Sequence, residues 1–187
     1  MRRLAPAALA GVALLSTASS PEPDRRVLDD FGDPSRWTAA PSDGVKLSLS
    51  SDVSAGRSGK ALRLDFDFGG RAGWAAVRRA FPIRLPENWV IDLLLKGDTP
   101  PQTLEFKLLD ASGENVWWSV RRPYEFPREW TTLRIRKRQV SFAWGPAGGG
   151  ELRDVGFLEV TVTAASGGKG RRSHLVCQDV SVICFAR

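Results

Sequence analysis

Hydrophobic and polar residues alternate with a period of two along most of the chain. The clearest run is LRLDFDF at 62–68, where apolar side chains alternate with Arg63, Asp65 and Asp67. A period of two places successive side chains on opposite faces, so the run predicts a half-buried antiparallel strand. Similar short runs recur between stretches rich in Gly and Pro, and none has a helical period. The pattern predicts an all-β fold, an antiparallel β-sandwich of the jelly-roll type.

Residues 103–121 form a predicted hairpin of two such strands. Asp110, Ser112 and Gly113 are turn residues between two alternating arms. By alternation, Trp118 falls on the core face together with Val116 and Val120. The opposite face then carries the following polar and aromatic side chains: Glu105, Lys107, Trp117, Ser119 and Arg121.

An aromatic ring among charged groups is typical of a sugar-binding surface. The flat face of Trp117 can stack on the C–H face of a pyranose, while Arg121 and Glu105 bond its hydroxyls. The alternative is that a loop or the other sheet covers Trp117. The candidate carbohydrate-binding residues are Trp117, Arg121, Glu105, Lys107, Asp65, Arg78 and Arg134.

The length of 187 residues and a hydrophobic content of 42% fit one domain. Residues 1–20 combine Arg2 and Arg3 with an apolar run and small residues, which predicts a signal peptide and a secreted or periplasmic protein. Residues 21–26 are predicted to be a flexible lead-in, and 27–187 the domain. No membrane partner is expected, and the domain is expected to be a monomer.

The net charge of +6 does not by itself indicate a nucleic-acid partner. The basic residues are scattered apart from the runs at 134–138 and 169–172, and no recognised nucleic-acid motif carries them. Solvated faces explain both runs. No nucleic-acid partner is therefore expected.

The two cysteines, Cys177 and Cys184, lie on one predicted strand. An extended strand would separate them by roughly 23 Å, far beyond disulfide distance, so buried free thiols are expected unless the strand is interrupted.

Four carboxylates, Asp65, Asp92, Glu105 and Glu159, fall on predicted polar faces, and a pair of them could hydrolyse a glycosidic bond. No motif marks a pair, however, and the single histidine, His174, has no nucleophile elbow beside it. A non-catalytic protein is therefore expected.

Several stretches together resemble a known family: VLDDF at 27–31, SGKALRLDFDF at 58–68, LEFKLLDASGENVWW at 104–118, and FAWGPAGGGEL at 142–152 after a strand with Trp130. With a late strand carrying Asp179, they resemble jelly rolls of the galactose-binding-domain-like superfamily, close to the family 11 carbohydrate-binding modules. Similar regions precede discoidin (coagulation factor 5/8 type) domains in larger secreted bacterial proteins. The resemblance covers residues 27–183.

The resemblance implies a non-catalytic domain that binds a polysaccharide or other glycan on one sheet face. The alternative is a structural or interaction spacer truncated from a larger discoidin-containing protein, because such proteins usually continue beyond the ICFAR end. A glycoside hydrolase is the third possibility. The resemblance also implies a structural calcium between Asp30 and Asp179, where the first and last strands meet, although both acids could equally cap turns.

Overall fold

The computed structural model describes residues 24–52, 60–165 and 173–184. The predicted signal peptide and the basic run at 169–172 lie outside the described residues. The first strand begins at Asp24, so the prediction that 24–26 belong to a flexible lead-in is wrong, because these residues pair with the last strand. The described segments contain no helix long and apolar enough to span a bilayer.

Twelve strands and two short 3-10 turns, Pro34–Arg36 and Lys137–Gln139, make up the described regular structure. The strands are β1 Asp24–Asp29, β2 Thr38–Ala39, β3 Lys46–Ser51, β4 Leu62–Asp67, β5 Trp74–Arg84, β6 Trp89–Asp98, β7 Gln102–Leu109, β8 Val116–Tyr124, β9 Thr131–Arg136, β10 Ser141–Trp144, β11 Asp154–Thr163 and β12 Ser173–Cys184.

The strands form two antiparallel sheets that pack face to face. Sheet 1 has the order β3-β4-β12-β6-β9, with β1 also paired to β12, and sheet 2 has the order β10-β8-β7-β11-β5-β2. The core between them is built from the alternating apolar residues that the sequence pattern selected, among them Leu64, Phe106 and Val160. The prediction of an all-β jelly-roll sandwich is therefore confirmed.

The predicted hairpin is also present, and its turn is built by the predicted residues. Asp110 Oδ1 accepts hydrogen bonds from Ser112 Oγ at 2.6 Å and from the Gly113 amide at 3.1 Å. Gly113 has φ = +75°, a conformation that glycine adopts without strain. Asn115 Nδ2 donates to the other oxygen of Asp110 at 2.6 Å, so the turn is closed before Val116.

The register of the hairpin reverses the predicted faces of β8. Leu109 pairs with Val116, which places Trp117 opposite the core residue Leu108 and Trp118 opposite Lys107. Trp117 is only 7% exposed and lies in the core. The prediction that Trp117 presents an open face and Trp118 packs inside is wrong, because residues directly opposite in an antiparallel pair share a face.

A buried ion pair joins the two sheets. The carboxylate of Asp29, on β1, contacts the guanidinium of Arg79, on β5, and both side chains are buried. Asp29 Oδ1 also accepts a hydrogen bond from the Phe31 amide at 2.6 Å. The opposite charges offset each other where neither side chain reaches water easily.

Both cysteines are free thiols, as the sequence predicts. Cys177 is fully buried in the core, and burial raises its pKa to about 12. Cys184 is half-buried at the end of β12. Cys177 therefore stays protonated and unreactive near neutral pH.

Candidate functional site

The outer face of sheet 2 carries a row of charged side chains at its centre. Arg78 on β5 lies opposite Glu159 on β11, which in turn lies opposite Lys107 on β7. Glu105 lies two residues before Lys107 on the same strand and face, opposite Thr161. The alternation of each strand therefore brings two cations and two acids together outside the core.

These four charged groups form one continuous network. Lys107 Nζ lies 3.0 Å from both Glu159 Oε1 and Glu105 Oε2. Arg78 Nε donates to Glu159 Oε2 at 2.8 Å. Thr161 Oγ1 donates to Glu159 Oε1 at 2.9 Å. Each acid therefore has fixed partners, and the network is electrically balanced.

Glu159 is ionised despite its burial. Burial pushes the pKa of Glu159 upward, but the charge and hydrogen bonds of Lys107, together with the hydrogen bond and charge of Arg78, outweigh burial and hold that pKa below its ordinary value of 4.5. The carboxylate is therefore an acceptor of hydrogen bonds at neutral pH, and it has no proton to donate.

Two tryptophans rim a cleft above this network. Trp74 and Trp144 are each 47% exposed. The cleft has a volume of about 540 Å³. Its lining consists of Ala40, Pro41, Trp74, Ala76, Arg78, Glu105, Lys107, Trp144, Glu159 and Thr163.

Trp144 is held over the charged network by two aromatic and cationic contacts. The Trp118 ring meets the Trp144 ring edge-on, with centroids 5.4 Å apart. Lys107 Nζ lies 5.5 Å from the Trp144 ring centroid. A cation close to an aromatic face is attracted by the ring quadrupole, so Lys107 links the rim of the cleft to its floor.

A β-bulge in β10 turns Trp144 outward. The register of β10 against β8 shifts between Phe142 and Trp144. Phe142 packs edge-on against Trp117 inside, at 5.2 Å, whereas Trp144 contacts the outer face. On a regular strand, residues i and i+2 lie on the same face. The extra residue in the bulge therefore places Phe142 and Trp144 on opposite faces.

The loop after Trp144 is anchored to the hairpin turn. Asn115 Oδ1 accepts a hydrogen bond from the Ala147 amide at 2.7 Å. Gly145 has φ = +133°, and a Cβ there would lie 2.6 Å from the Glu114 carbonyl oxygen. Only glycine fits this close approach, which explains one glycine of the FAWGPAGGG stretch.

Trp74, the other tryptophan of the cleft, is positioned by two hydrogen bonds with Ser42. The Trp74 amide donates to Ser42 Oγ at 2.9 Å, and the Ser42 amide donates to the Trp74 carbonyl oxygen at 3.0 Å. Trp74, the first residue of β5, lies opposite Thr163, the last residue of β11. The chain before β3 therefore fixes the start of β5 and the tryptophan on it.

The cleft brings together three of the predicted carbohydrate-binding residues: Glu105, Lys107 and Arg78. Arg121 lies opposite the core residue Leu104 and is absent from the cleft lining. Trp117 is buried, as described above.

The remaining two candidates lie on sheet 1, so they cannot share a site with the cleft. Asp65 accepts three hydrogen bonds from its strand neighbour Arg63. Arg134 donates to both oxygens of Asp92 at 2.8 Å. Both candidates are therefore held in local ion pairs on the other side of the molecule.

Sequence reasoning missed the two rim tryptophans. Trp74 opens a predicted strand, and Trp144 ends another just before a glycine-rich loop. A tryptophan at a strand end beside a glycine-containing loop is the signal that the sequence offers, because strand ends are less often covered than strand centres.

Asp30, which is predicted to bind calcium together with Asp179, has another partner in the described structure, as does its neighbour Asp29. Asp29 is paired with Arg79, and Asp30 Oδ1 accepts a hydrogen bond from the Gly32 amide at 2.9 Å. In the described ranges, no group of three or more His, Cys, Asp or Glu side chains could hold a metal ion. The calcium site stays a prediction.

No protein-family model matches the sequence, and no curated protein matches it. Solved structures do. A family 11 carbohydrate-binding module from Clostridium thermocellum, in complex with a β-1,3-1,4-mixed-linked tetrasaccharide, has a TM-score of 0.66 at 16% identity over 87% of this chain and 97% of its own. The chain has the jelly-roll fold of the family 11 carbohydrate-binding modules.

Other solved structures agree on this jelly roll. The family 11 module of a cellulosomal cellulase of Clostridium thermocellum has a TM-score of 0.64 at 16% identity, over 89% of this chain and 97% of its own. An exo-β-agarase has a TM-score of 0.57 at 9% identity, over 86% of this chain and 26% of its own. The fold expected from the resemblance to family 11 modules is thereby confirmed.

Proposed function

We propose that the protein is a non-catalytic carbohydrate-binding domain, and that a glycan lies along the cleft between Trp74 and Trp144. The observation that carries the proposal is the pairing of two half-exposed tryptophans with a fixed polar floor. Single exposed apolar side chains are common, but two tryptophans in the lining of one cleft with polar groups between them are typical of a ligand-binding groove.

The chemistry of the cleft suits a sugar on both of its surfaces. Each indole ring offers an apolar face to the C–H groups of a pyranose. Arg78, whose side chain is 40% exposed, offers guanidinium donors to hydroxyl groups. The carboxylates of Glu105 and Glu159 hold Lys107 and Arg78 in position on the floor of the cleft.

The floor is ordered before any ligand arrives. The Lys107 ammonium group is held between two carboxylates, and Thr163 Oγ1 donates to Glu105 Oε1 at 2.9 Å. Side chains that are already fixed lose little conformational entropy on binding, which favours affinity.

The fold supports the same class of ligand. One family 11 module with this fold was solved with a β-1,3-1,4-mixed-linked tetrasaccharide bound. A mixed-linkage β-glucan is therefore the first polysaccharide to test.

Glycoside hydrolysis is a poor match for the same carboxylates. A glycosidase needs one carboxylic acid whose raised pKa keeps its proton for the leaving group. The pKa of Glu159 is instead lowered, and the same ammonium group bridges Glu159 and Glu105. No release of reducing sugar is expected from any polysaccharide that the protein binds.

Affinity electrophoresis on a panel of polysaccharides, followed by calorimetry with mixed-linkage β-glucan, tests the proposal. Trp74→Ala and Trp144→Ala should each raise Kd about five- to thirtyfold, from the loss of roughly 1–2 kcal/mol of stacking. The matched control is Trp130→Ala, just before β9 of sheet 1. Its ring contacts Lys96 on β6, and the variant should bind like the wild type. Wild-type affinity in both cleft variants would refute the proposal.

Export through the segment at 1–20 belongs to the proposal as well. Expression in a bacterial host and mass measurement of the recovered protein should show a chain shortened near residue 20. A full-length cytoplasmic product would contradict export. The same sample run on a sizing column tests the expected monomer.

A further inference from the structure

A second cavity, which we call the edge pocket, opens between the sheets beside β9 and β10. Its volume is about 550 Å³, similar to that of the cleft. Its lining consists of Asn88, Trp89, Val90, Trp117, Arg136, Lys137, Arg138, Val140, Ser141, Phe142, Gly150, Glu151 and Leu152. Nothing in the proposed function uses this cavity.

The floor of the edge pocket is apolar and firmly held. Trp117, Trp89 and Leu152 belong to the core, and Phe142 packs against it. Trp117 Nε1 donates to the Gly150 carbonyl oxygen at 2.9 Å, which fixes the loop at the mouth of the pocket. The pocket is thus a preformed cavity with rigid aromatic walls.

The rim of the edge pocket is basic. Glu151 is its one acid, and it is neutralised by Lys137, in close contact, and by Arg153, whose Nη2 lies 3.3 Å away. Arg136 and Arg138 are exposed and make no ion pair with any of the residues that the structure describes. Two exposed arginines of the lining are therefore available to an anion.

The edge pocket adjoins the cleft across strand β10. Ser141, which lines the pocket, lies opposite Trp118, and Trp118 lies opposite Lys107 on the floor of the cleft. Trp144, at the end of the same strand, rims the cleft. A glycan that leaves the cleft over β10 arrives at the rim of the edge pocket.

We propose that the edge pocket is a second saccharide site that takes a sugar unit carrying a negative charge, a carboxylate or a sulfate ester. This inference rests on the proposed function, because it extends the path of the same polymer. Guanidinium groups bind carboxylate and sulfate oxygens in a bidentate fork, and the aromatic wall suits the apolar face of the ring. The protein then favours acidic polysaccharides over neutral ones.

Calorimetry on the full chain with native and carboxymethylated mixed-linkage β-glucan tests the inference. At low salt the carboxymethylated polymer should bind about fivefold more tightly, the gain that two exposed charge contacts supply. Arg136→Gln with Arg138→Gln should abolish this advantage and leave binding of the native polymer unchanged. Arg25→Gln with Arg26→Gln removes the same charge from exposed positions on β1 and should keep the advantage.

Equal binding of the two polymers by the wild type, or equal loss in both double variants, overturns the inference and leaves the proposed function intact. Failure of both polymers to bind counts against the proposed function instead. A nuclear magnetic resonance titration with trigalacturonate then decides the edge pocket separately. Shifts of the Ser141, Phe142 and Gly150 amides that disappear in the Arg136 and Arg138 variant support the site, and unchanged amides overturn it.

Discussion

Replacing Trp117 by alanine separates a core role from a ligand-binding role. The indole is 7% exposed, contacts Phe142 edge-on and donates to the Gly150 carbonyl oxygen. Truncating a buried tryptophan costs about 3–5 kcal/mol of unfolding free energy, since the cavity is only partly refilled. For a chain of 187 residues, that corresponds to a fall of roughly 6–20 °C in melting temperature.

Urea denaturation and thermal melting measure this loss, and calorimetry well below the melting temperature measures glycan affinity. For the native, uncharged mixed-linkage β-glucan, Trp117→Ala should lose less affinity than Trp144→Ala, because the Trp117 ring lies on the other side of the sheet from the cleft. Trp117→Phe keeps an aromatic ring in the core and should recover part of the stability. If Trp117→Ala keeps the wild-type melting temperature but no longer binds the glycan, the β7–β8 register that places Trp117 in the core is wrong.

Three further predictions concern the charged groups. The pKa of Glu159 in the folded protein lies below 4.5, so its ionised side chain stabilises the fold at any pH above its pKa in the unfolded chain. This stabilisation is lost as the pH falls through the folded pKa. In Glu159→Gln, the melting temperature should therefore fall less steeply with decreasing pH in that acidic range. Asp29→Asn or Arg79→Met alone should lower the free energy of unfolding, measured by urea denaturation, by about 3–5 kcal/mol, because each leaves one buried charge unpaired. The double variant Asp29→Leu with Arg79→Met should lose less, because both charges are removed. A loss in the double variant equal to the sum of the single losses would contradict the buried pair. If Asp30 and Asp179 share a calcium ion, calcium at about 100 times Kd should add roughly 2.7 kcal/mol and chelator should remove it; an unchanged melting temperature would dismiss the site.

The sequence predicts the strands well because their alternation is strong. The run from Leu62 to Asp67 became β4 with alternating burial, and the turn residues Asp110 and Gly113 closed the hairpin as expected. Hydropathy alone determines these features, since each apolar residue must leave water and each turn needs particular backbone conformations.

The faces of β8 could not be predicted from the same pattern. Trp117 and Trp118 are adjacent and chemically identical, so hydropathy does not choose between them. The flanking valines misled the prediction, because Val116 and Val120 lie on the same face as Lys107 and Glu105. The pairing of Leu109 with Val116 decides which face of the sheet each residue of β8 occupies. This pairing depends on the number of residues in the turn, which only the folded structure shows.

Which residues come together in the cleft could not be predicted from the sequence. Glu105, Lys107 and Glu159 were recognisable as polar-face residues, but β7 and β11 are far apart in the chain and meet only through sheet order. Asp65 and Arg134 have the same local pattern and belong to the other sheet. Periodicity assigns a side chain to a face and does not say which sheet that face belongs to.

Because of the bulge in β10, a single insertion or deletion in that strand would change the orientation of Trp144, and with it the cleft, more than it would change the core. Phe142 closes the core and Trp144 serves the cleft only because one extra residue stands between their two orientations. Deleting Ala143 would turn the position of Trp144 away from the cleft, and its structural effect would fall on the contacts of Gly145 and Ala147 with the hairpin turn. On an edge strand, where few neighbours constrain the chain, related proteins can thus gain or lose a binding platform in one mutational event and keep the same scaffold.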